Sequence, residues 1–249
     1  MYSQAPAWMW ARSNESAGIE LARDVTVLKS TGDVWITGSY ATNNLSAKWG
    51  GNFNTNYGGT DAFLVKYSTN GVVTAAIRIG GAGNDVGYST CVDAAGNVYV
   101  AGSFAGTANF WHTPALAAPN TYDLTSNAGT ADIFLAKYNS AGVFQWATKA
   151  GGASTDAALG VYVDANGVYL TGTYLFSASM TFSSYASVTT TAITTAGGNT
   201  DVFIAKYTTG GLIQWVAKAG STGADAGYDI VADEATRKYL YDWRLCRRK

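Results

Sequence analysis

Apolar residues along this chain fall in short runs with a period of two, separated by polar turns that carry glycine. In DIFLAKY, Asp132–Tyr138, the alternation puts Phe134, Ala136 and Tyr138 on one face and Ile133, Leu135 and Lys137 on the other. Both faces are largely apolar, which predicts a strand covered on both sides. The turn NSAG leads into a further run, VFQWATKA (143–150), and two more precede the pair: GYSTCVD (87–93), then the turn AAGN, then VYVAGSF (98–104). Asn and Gly in such turns supply the positive φ that tight hairpins need. Helix caps followed by apolar stripes at 3.6-residue spacing are scarce.

The four-strand pattern recurs. DAFLVKYSTNGVV begins at Asp61, DIFLAKYNSAGVF at Asp132 and DVFIAKYTTGGLI at Asp201. IRIGG, TKAGG and AKAGS follow the three copies in turn. CVDAAGNVYVAGSF at Cys91 matches YVDANGVYLTGTY at Tyr162, with a weaker copy, VLKSTGDVWITGSY, at Val27. WMWARS at Trp8 matches FQWATKA at Phe144, so the chain opens inside a unit.

Four-stranded antiparallel units apolar on both faces stack as propeller blades. The predicted fold is all-β: a propeller-like arc of three complete blades, about 19–79, 86–150 and 157–219, with partial strands at 7–13 and 226–233. Residues 1–236 form a single domain on this reading. The patterns D-x-F-x-x-K-Y and V-D-x-x-G-x-V-Y-x-x-G together resemble the bacterial SBBP-type β-propeller repeat over most of Trp8–Asp233. The resemblance implies a propeller, often part of a large secreted or surface protein, and implies no enzyme activity. Propellers usually close with 4–8 blades, so a piece of a larger propeller is expected, with the remaining blades as its partners. Otherwise open faces and edges invite association.

Composition narrows the classes. The chain has 249 residues, is 47% hydrophobic and only 13% charged, and has 29 Gly. Charge-driven disorder is excluded, and no apolar run reaches the ~18 residues of a membrane span. Cys91 and Cys246 offer no metal spacing, and Cys91 alternates with core positions. MYSQAPAWMWARS lacks the features of a signal peptide, which predicts either a cytoplasmic protein or a missing beginning, whereas the repeat resemblance implies an extracellular or cell-surface setting.

Nine of the 17 acids stand at repeated positions: Asp61, Asp132 and Asp201; Asp85, Asp156 and Asp225; Asp93, Asp164 and Asp233. Catalysis needs a group once, so repetition points to structural roles, such as accepting backbone N–H bonds at turns. The spaced ligands of a calcium loop are absent. Lys66, Lys137 and Lys206 repeat in strand three, and Arg12, Arg78, Lys149 and Lys218 in strand four. The strand-three lysines are expected to pair with a repeated Asp.

The segments 41–60, 105–131 and 175–200 differ between units while the strands stay alike, and binding tends to lie on such variable connections. They carry Trp49, Trp111, His112, Tyr122 and Tyr185, which suit stacking on a glycan or docking of a protein; the alternative is that the aromatics cover blade edges. SVTTTAITTAGGNT, 187–200, is β-prone in its own right. His112, the single histidine, has no evident nucleophile or orienting partner. No cofactor is implied. A non-enzymatic binding scaffold is the leading expectation. One rival is a carbohydrate-active propeller enzyme, which needs two of the unrepeated acids (Glu15, Glu20, Asp24, Asp33, Asp123, Asp229, Glu234, Asp242) facing one cavity. The other is a purely structural adhesin stalk.

The end of the chain, ATRKYLYDWRLCRRK, departs from the repeat, which predicts something like G-N-V-Y-V-T-G there. A shifted reading frame can encode a sequence of that kind, so 237–249 reads as an aberrant tail, a frameshifted repeat strand. Without it the chain has 10 basic and 16 acidic residues, which leaves no basic patch for nucleic acid.

Overall fold

The computed structural model describes residues 11, 19–41, 57–111, 122–175, 179–194, 199–233 and 238–244. Among them every regular element is a β-strand. In chain order these are β1 (Glu20–Leu28), β2 (Asp33–Tyr40), β3 (Asp61–Tyr67), β4 (Val73–Gly81), β5 (Val86–Val92), β6 (Val98–Ala105), β7 (Thr107–Phe110), β8 (Tyr122–Thr125), β9 (Ala131–Tyr138), β10 (Phe144–Gly151), β11 (Asp156–Asp164), β12 (Gly167–Leu175), β13 (Met180–Ser184), β14 (Ser187–Ile193), β15 (Thr200–Tyr207), β16 (Ile213–Ala219), β17 (Ala226–Asp233) and β18 (Lys238–Arg244).

Each repeat folds as an antiparallel blade: β1-β2-β3-β4, β5-β6-β9-β10 and β11-β12-β15-β16. The strand-one and strand-two pairings break register at the same place, between Ala22 and Asp24, Gly87 and Ser89, and Ala158 and Gly160, and again between Gly227 and Asp229 of β17. A β-bulge at one position in every unit bends strand one in the same way each time. The turn from strand three to strand four is also shared. Gly71, Gly142 and Gly211 adopt φ of 69°, 81° and 85°, and Ser68, Asn139 and Thr208 each donate N–H to the carbonyl four residues on. Only glycine reaches that φ at no steric cost.

The period-two alternation sorts side chains between neighbouring blades. Ile133 and Leu135 of β9 enter the core shared with the third blade, beside Val161, Val168 and Phe203. Phe134, Ala136 and Tyr138 enter the core shared with the first, beside Leu64, Ile77 and Val100. Strands β1, β5, β11 and β17 pack on one another in succession.

The long connections hold structure of their own. Strands β7 and β8, from the second unit, form a hairpin on the outer strand of the first blade, pairing Ile79 with Phe110 and Gly81 with Ala108. Strands β13 and β14, from the third unit, do the same to the second blade, pairing Ala150 with Phe182. The Thr-rich stretch at 187–200 supplies β14. Two of the blades therefore become six-stranded sheets. Residues 238–244 of the atypical tail form β18 and pair with β17, Asp233 opposite Lys238 and Ala226 opposite Arg244, as strand two pairs with strand one elsewhere.

Candidate functional site

The chemistry-bearing side chains lie at the blade junctions and along the outer edge. Asp85, at the start of the second unit, is buried; its carboxylate accepts N–H from Gly81 at 2.8 Å and from Ala105 at 3.2 Å. Asp156 repeats this with Gly152 at 2.9 Å and Leu175 at 3.2 Å, and Asp225 accepts from Ser221 N at 2.6 Å. Each carboxylate thus ties the end of one blade to the start of the next. Beside each stands the strand-three entry acid. Asp61 accepts from Tyr57 N at 3.2 Å and from the Tyr40 hydroxyl at 3.3 Å, and Asp132 accepts from Asn127 N at 2.7 Å. Gly80, Gly151 and Gly220 make room for this second acid: a Cβ on any of them would stand 2.0–2.3 Å from an oxygen of Asp61, Asp132 or Asp201.

Burial raises the pKa of these acids, because the charged form loses water. Asp85 is pushed up to about 7 and Asp156 to about 7, with a smaller push from the neighbouring Asp61 and Asp132. Asp132 rises to about 6, desolvation outweighing its hydrogen bond from Asn127 and the pull of Lys149. Asp61 moves in the same direction, against the pull of Tyr57 N–H and Arg78. The buried acids that come together are thus the repeated ones. At Asp93, Oδ1 accepts N–H from Ala95 at 3.0 Å and Asn97 at 2.9 Å, and Asp164 binds Asn166 and Gly167 likewise, which closes the turn after strand one.

Of the expected pairings of strand-three lysines with a repeated Asp, the charge of Asp93 acts on Lys137, while the close contacts run to other partners. Lys66 bridges to Asp33 at 2.9 Å, an unrepeated acid. What repeats is a different pair of contacts. Lys66, Lys137 and Lys206 each lie over the strand-two aromatic of their own blade, Trp35, Tyr99 and Tyr169, at 5.7, 5.1 and 5.4 Å. Lys66 donates to Ser140 O at 3.0 Å and Lys137 to Thr209 O at 3.2 Å, both in the strand-three-to-four turn of the following blade. A carbonyl is an acceptor without net charge, so no carboxylate had to be buried to receive the lysine. The strand-four cations hold their own unit's long connection: Lys149 donates to Thr125 O at 2.6 Å, and Lys218 to Thr194 O at 2.6 Å.

Trp111 and Tyr57 flank the guanidinium of buried Arg78, at 4.6 and 3.9 Å from their ring centres. Tyr122 stacks on Phe144 at 5.4 Å and meets Tyr185 edge-on at 5.8 Å; Tyr185 in turn stacks on Trp146 at 6.4 Å. Trp111, Tyr122 and Tyr185 are half-buried and engaged with framework side chains, while Tyr57 is exposed. Trp49 and His112 lie outside the described residues, as do Arg12 and the 7–13 strand apart from residue 11. Cys91 is packed against the core between the second and third blades, and burial pushes its thiol pKa up. Among the described residues no three His, Cys, Asp or Glu side chains gather to hold a metal ion, and no helix is long and apolar enough to cross a membrane.

The hub contact was missed in the sequence. Asp24 of β1 accepts from Ser89 Oγ at 2.9 Å and Thr90 N at 2.8 Å on β5, and Ser89 Oγ accepts from Val161 N at 3.2 Å on β11. The residue after the bulge thus carries a bond to the next strand one in the first two units, while in the third it is Gly160, against which the backbone of Asp229 packs directly. Its residue type changes between units, which hid it from a search for repeated letters.

No protein-family profile matches the chain. It is 29% identical over 186 residues to an uncharacterized WD repeat-containing protein of Acanthamoeba polyphaga mimivirus, in an alignment that takes in 68% of this chain and 12% of that protein. The chain therefore spans about an eighth of that relative's length. Together with the stacked blades, this likeness supports a β-propeller-type repeat protein.

Proposed function

We propose that this chain is a non-enzymatic scaffold whose blades present the variable rim connections to a protein partner. The observation that supports it most directly is the placement of its acids. The buried carboxylates stand at repeated positions, are bonded to backbone N–H groups and tie one blade to the next. Chemistry spent on architecture in this way leaves recognition to the connections, which differ in sequence from unit to unit. The name of the viral relative, a WD repeat-containing protein, fits the same class. Bacterial origin, the SBBP-type assignment and a cell-surface setting belong to this proposal and rest on the repeat resemblance.

The test replaces residues 112–121 by a Gly/Ser linker of equal length in the full chain. Melting temperature should hold within a few degrees while cross-linking to protein partners in extracts of the source cells is lost. Partner capture unchanged by the replacement, or binding confined to a glycan array, would contradict the reading.

A further inference from the structure

The first two blade junctions each enclose a pair of acids, and among the described residues one cation acts on each pair. At the first, Asp61 at the head of β3 and Asp85 just before β5 are both buried, and Arg78 of β4 pulls Asp61 towards its charged form. At the second, Asp132 of β9 and Asp156 of β11 are buried in the same way, and Lys149 of β10 pulls on Asp132. Two carboxylates against one cation would leave a negative charge enclosed, which burial opposes. One proton held by the pair removes that charge.

The geometry gives that proton a place. Both oxygens of Asp85 accept backbone N–H groups, and Asp61 Oδ2 accepts from Tyr57 N–H and the Tyr40 hydroxyl. Asp61 Oδ1 is enclosed with no hydrogen bond. A Cβ on Gly80 would stand 2.3 Å from Asp61 Oδ1 and 2.8 Å from Asp85 Oδ2, so the two oxygens border the same point. The second junction repeats the pattern. Asp132 Oδ2 accepts from Asn127 N–H, and both oxygens of Asp156 accept backbone N–H groups. Asp132 Oδ1 is enclosed without a partner, 2.3 Å from the Cβ position of Gly151, and the next residue, Gly152, is the one that donates to Asp156 Oδ2. The other titratable neighbours are phenols that burial keeps protonated, Tyr40 at the first junction and Tyr174 beside Asp156. Phe104 stands opposite Asp132 where Tyr40 stands opposite Asp61, so Asp132 has no phenol to share. With three of four oxygens already receiving N–H donors, each pair suits a proton and offers a metal ion no oxygen cage.

We propose that each of these junctions is closed by one shared proton: Asp61 donates from Oδ1 to Asp85 Oδ2, Asp132 donates in the same way to Asp156, and the clasp between successive blades loosens when the proton passes to water. On release both acids are charged, and their repulsion pushes strand three of one blade from the start of the next. In the unfolded chain both acids ionise near pH ~4, so only the closed junction binds the proton. Closure is therefore firm in acid and weakens as pH rises through about 7 at Asp85. The proton belongs to the pair, and its two members titrate together. Burial alone would have each acid titrate without regard to the other.

The test is a carboxyl NMR titration of the full 249-residue chain. Asp61 and Asp85 should share one upper titration step, and Asp132 and Asp156 another. In Asp61→Asn the side-chain oxygen keeps the Tyr57 N–H while the amide donates to Asp85. The Asp85 midpoint should then fall by about one pH unit or more, a ten-fold loss of proton affinity. Asp132→Asn should do the same to Asp156, and it carries the test where the first variant fails to fold. Each variant should also flatten part of the fall in melting temperature between pH ~5 and ~8. An Asp85 or Asp156 midpoint unmoved by its partner's replacement, or separate upper steps within a pair, would overturn the proposal. So would a melting temperature raised by about 1 mM calcium chloride, which would assign the paired acids to a metal ion.

Discussion

At Asp85, Asp132 and Asp156 a side chain usually found on the surface is enclosed, and each carries a measurable consequence. Their folded-state pKa values, about 7, 6 and 7, lie above the ~3.9 of an unfolded aspartate. A raised pKa means the folded chain holds more protons than the unfolded chain between those values. The stability these groups add is full below pH ~4 and is lost as pH rises through 6 to 7. Melting temperature should therefore fall between pH 5 and pH 8, and carboxyl NMR titrations should place these three aspartates well above the exposed ones. A melting temperature that climbs over this range would contradict the assignment. The repetition of these acids was legible in the sequence, and so was their capacity to accept backbone N–H bonds at turns. Their burial was not, because Asp85 and Asp156 sit in glycine-rich stretches that read as open turns, and only the fold brings the next blade over them.

The hairpin from one unit onto the blade before it is the element that holds successive blades together at the rim. Phe110 and Phe182 stand at matching places, opposite Ile79 and Ala150 on the outer strand, and each meets the strand-three phenylalanine of its own unit, Phe134 at 5.5 Å and Phe203 at 5.3 Å. Both are buried. Phe182→Ala should cost about 3–5 kcal/mol in denaturant unfolding, the usual range for an enclosed aromatic, and Phe110→Ala a similar amount. A loss below ~1 kcal/mol would mean that the hairpin is not seated as described. The blade strands themselves were read from alternation to within a residue or two, DIFLAKY and VFQWATKA most clearly. The hairpins were not, because TANF, YDLT and MTFSS are too short and too polar to show a period. Only the strand propensity of the Thr-rich stretch gave a sign. That is why the packing of Tyr122 on Phe144 and of Tyr185 on Trp146 could not be read from the letters.

Over the whole molecule, junctions repeat: strand one on strand one at the hub, lysine to the next turn, and a hairpin across the outer edge. The third blade meets β17 at the hub, yet β16 is mostly exposed where β4 and β10 are mostly buried. The tail, so unlike the repeat in its letters, still takes the place of strand two as β18. Alternating Tyr239, Leu240 and Tyr241 keep enough β-propensity there for a basic segment to pair with a strand whose partner is set by position. Backbone amide hydrogen exchange on the full chain reads this arrangement residue by residue. The account predicts slow exchange across the last residues of both β4 and β10, Ile79–Gly81 and Ala150–Gly151, beneath their hairpins, and exchange at least ten-fold faster at the matching end of β16. Equal protection of all three outer strands, or fast exchange in β4 and β10, would contradict it.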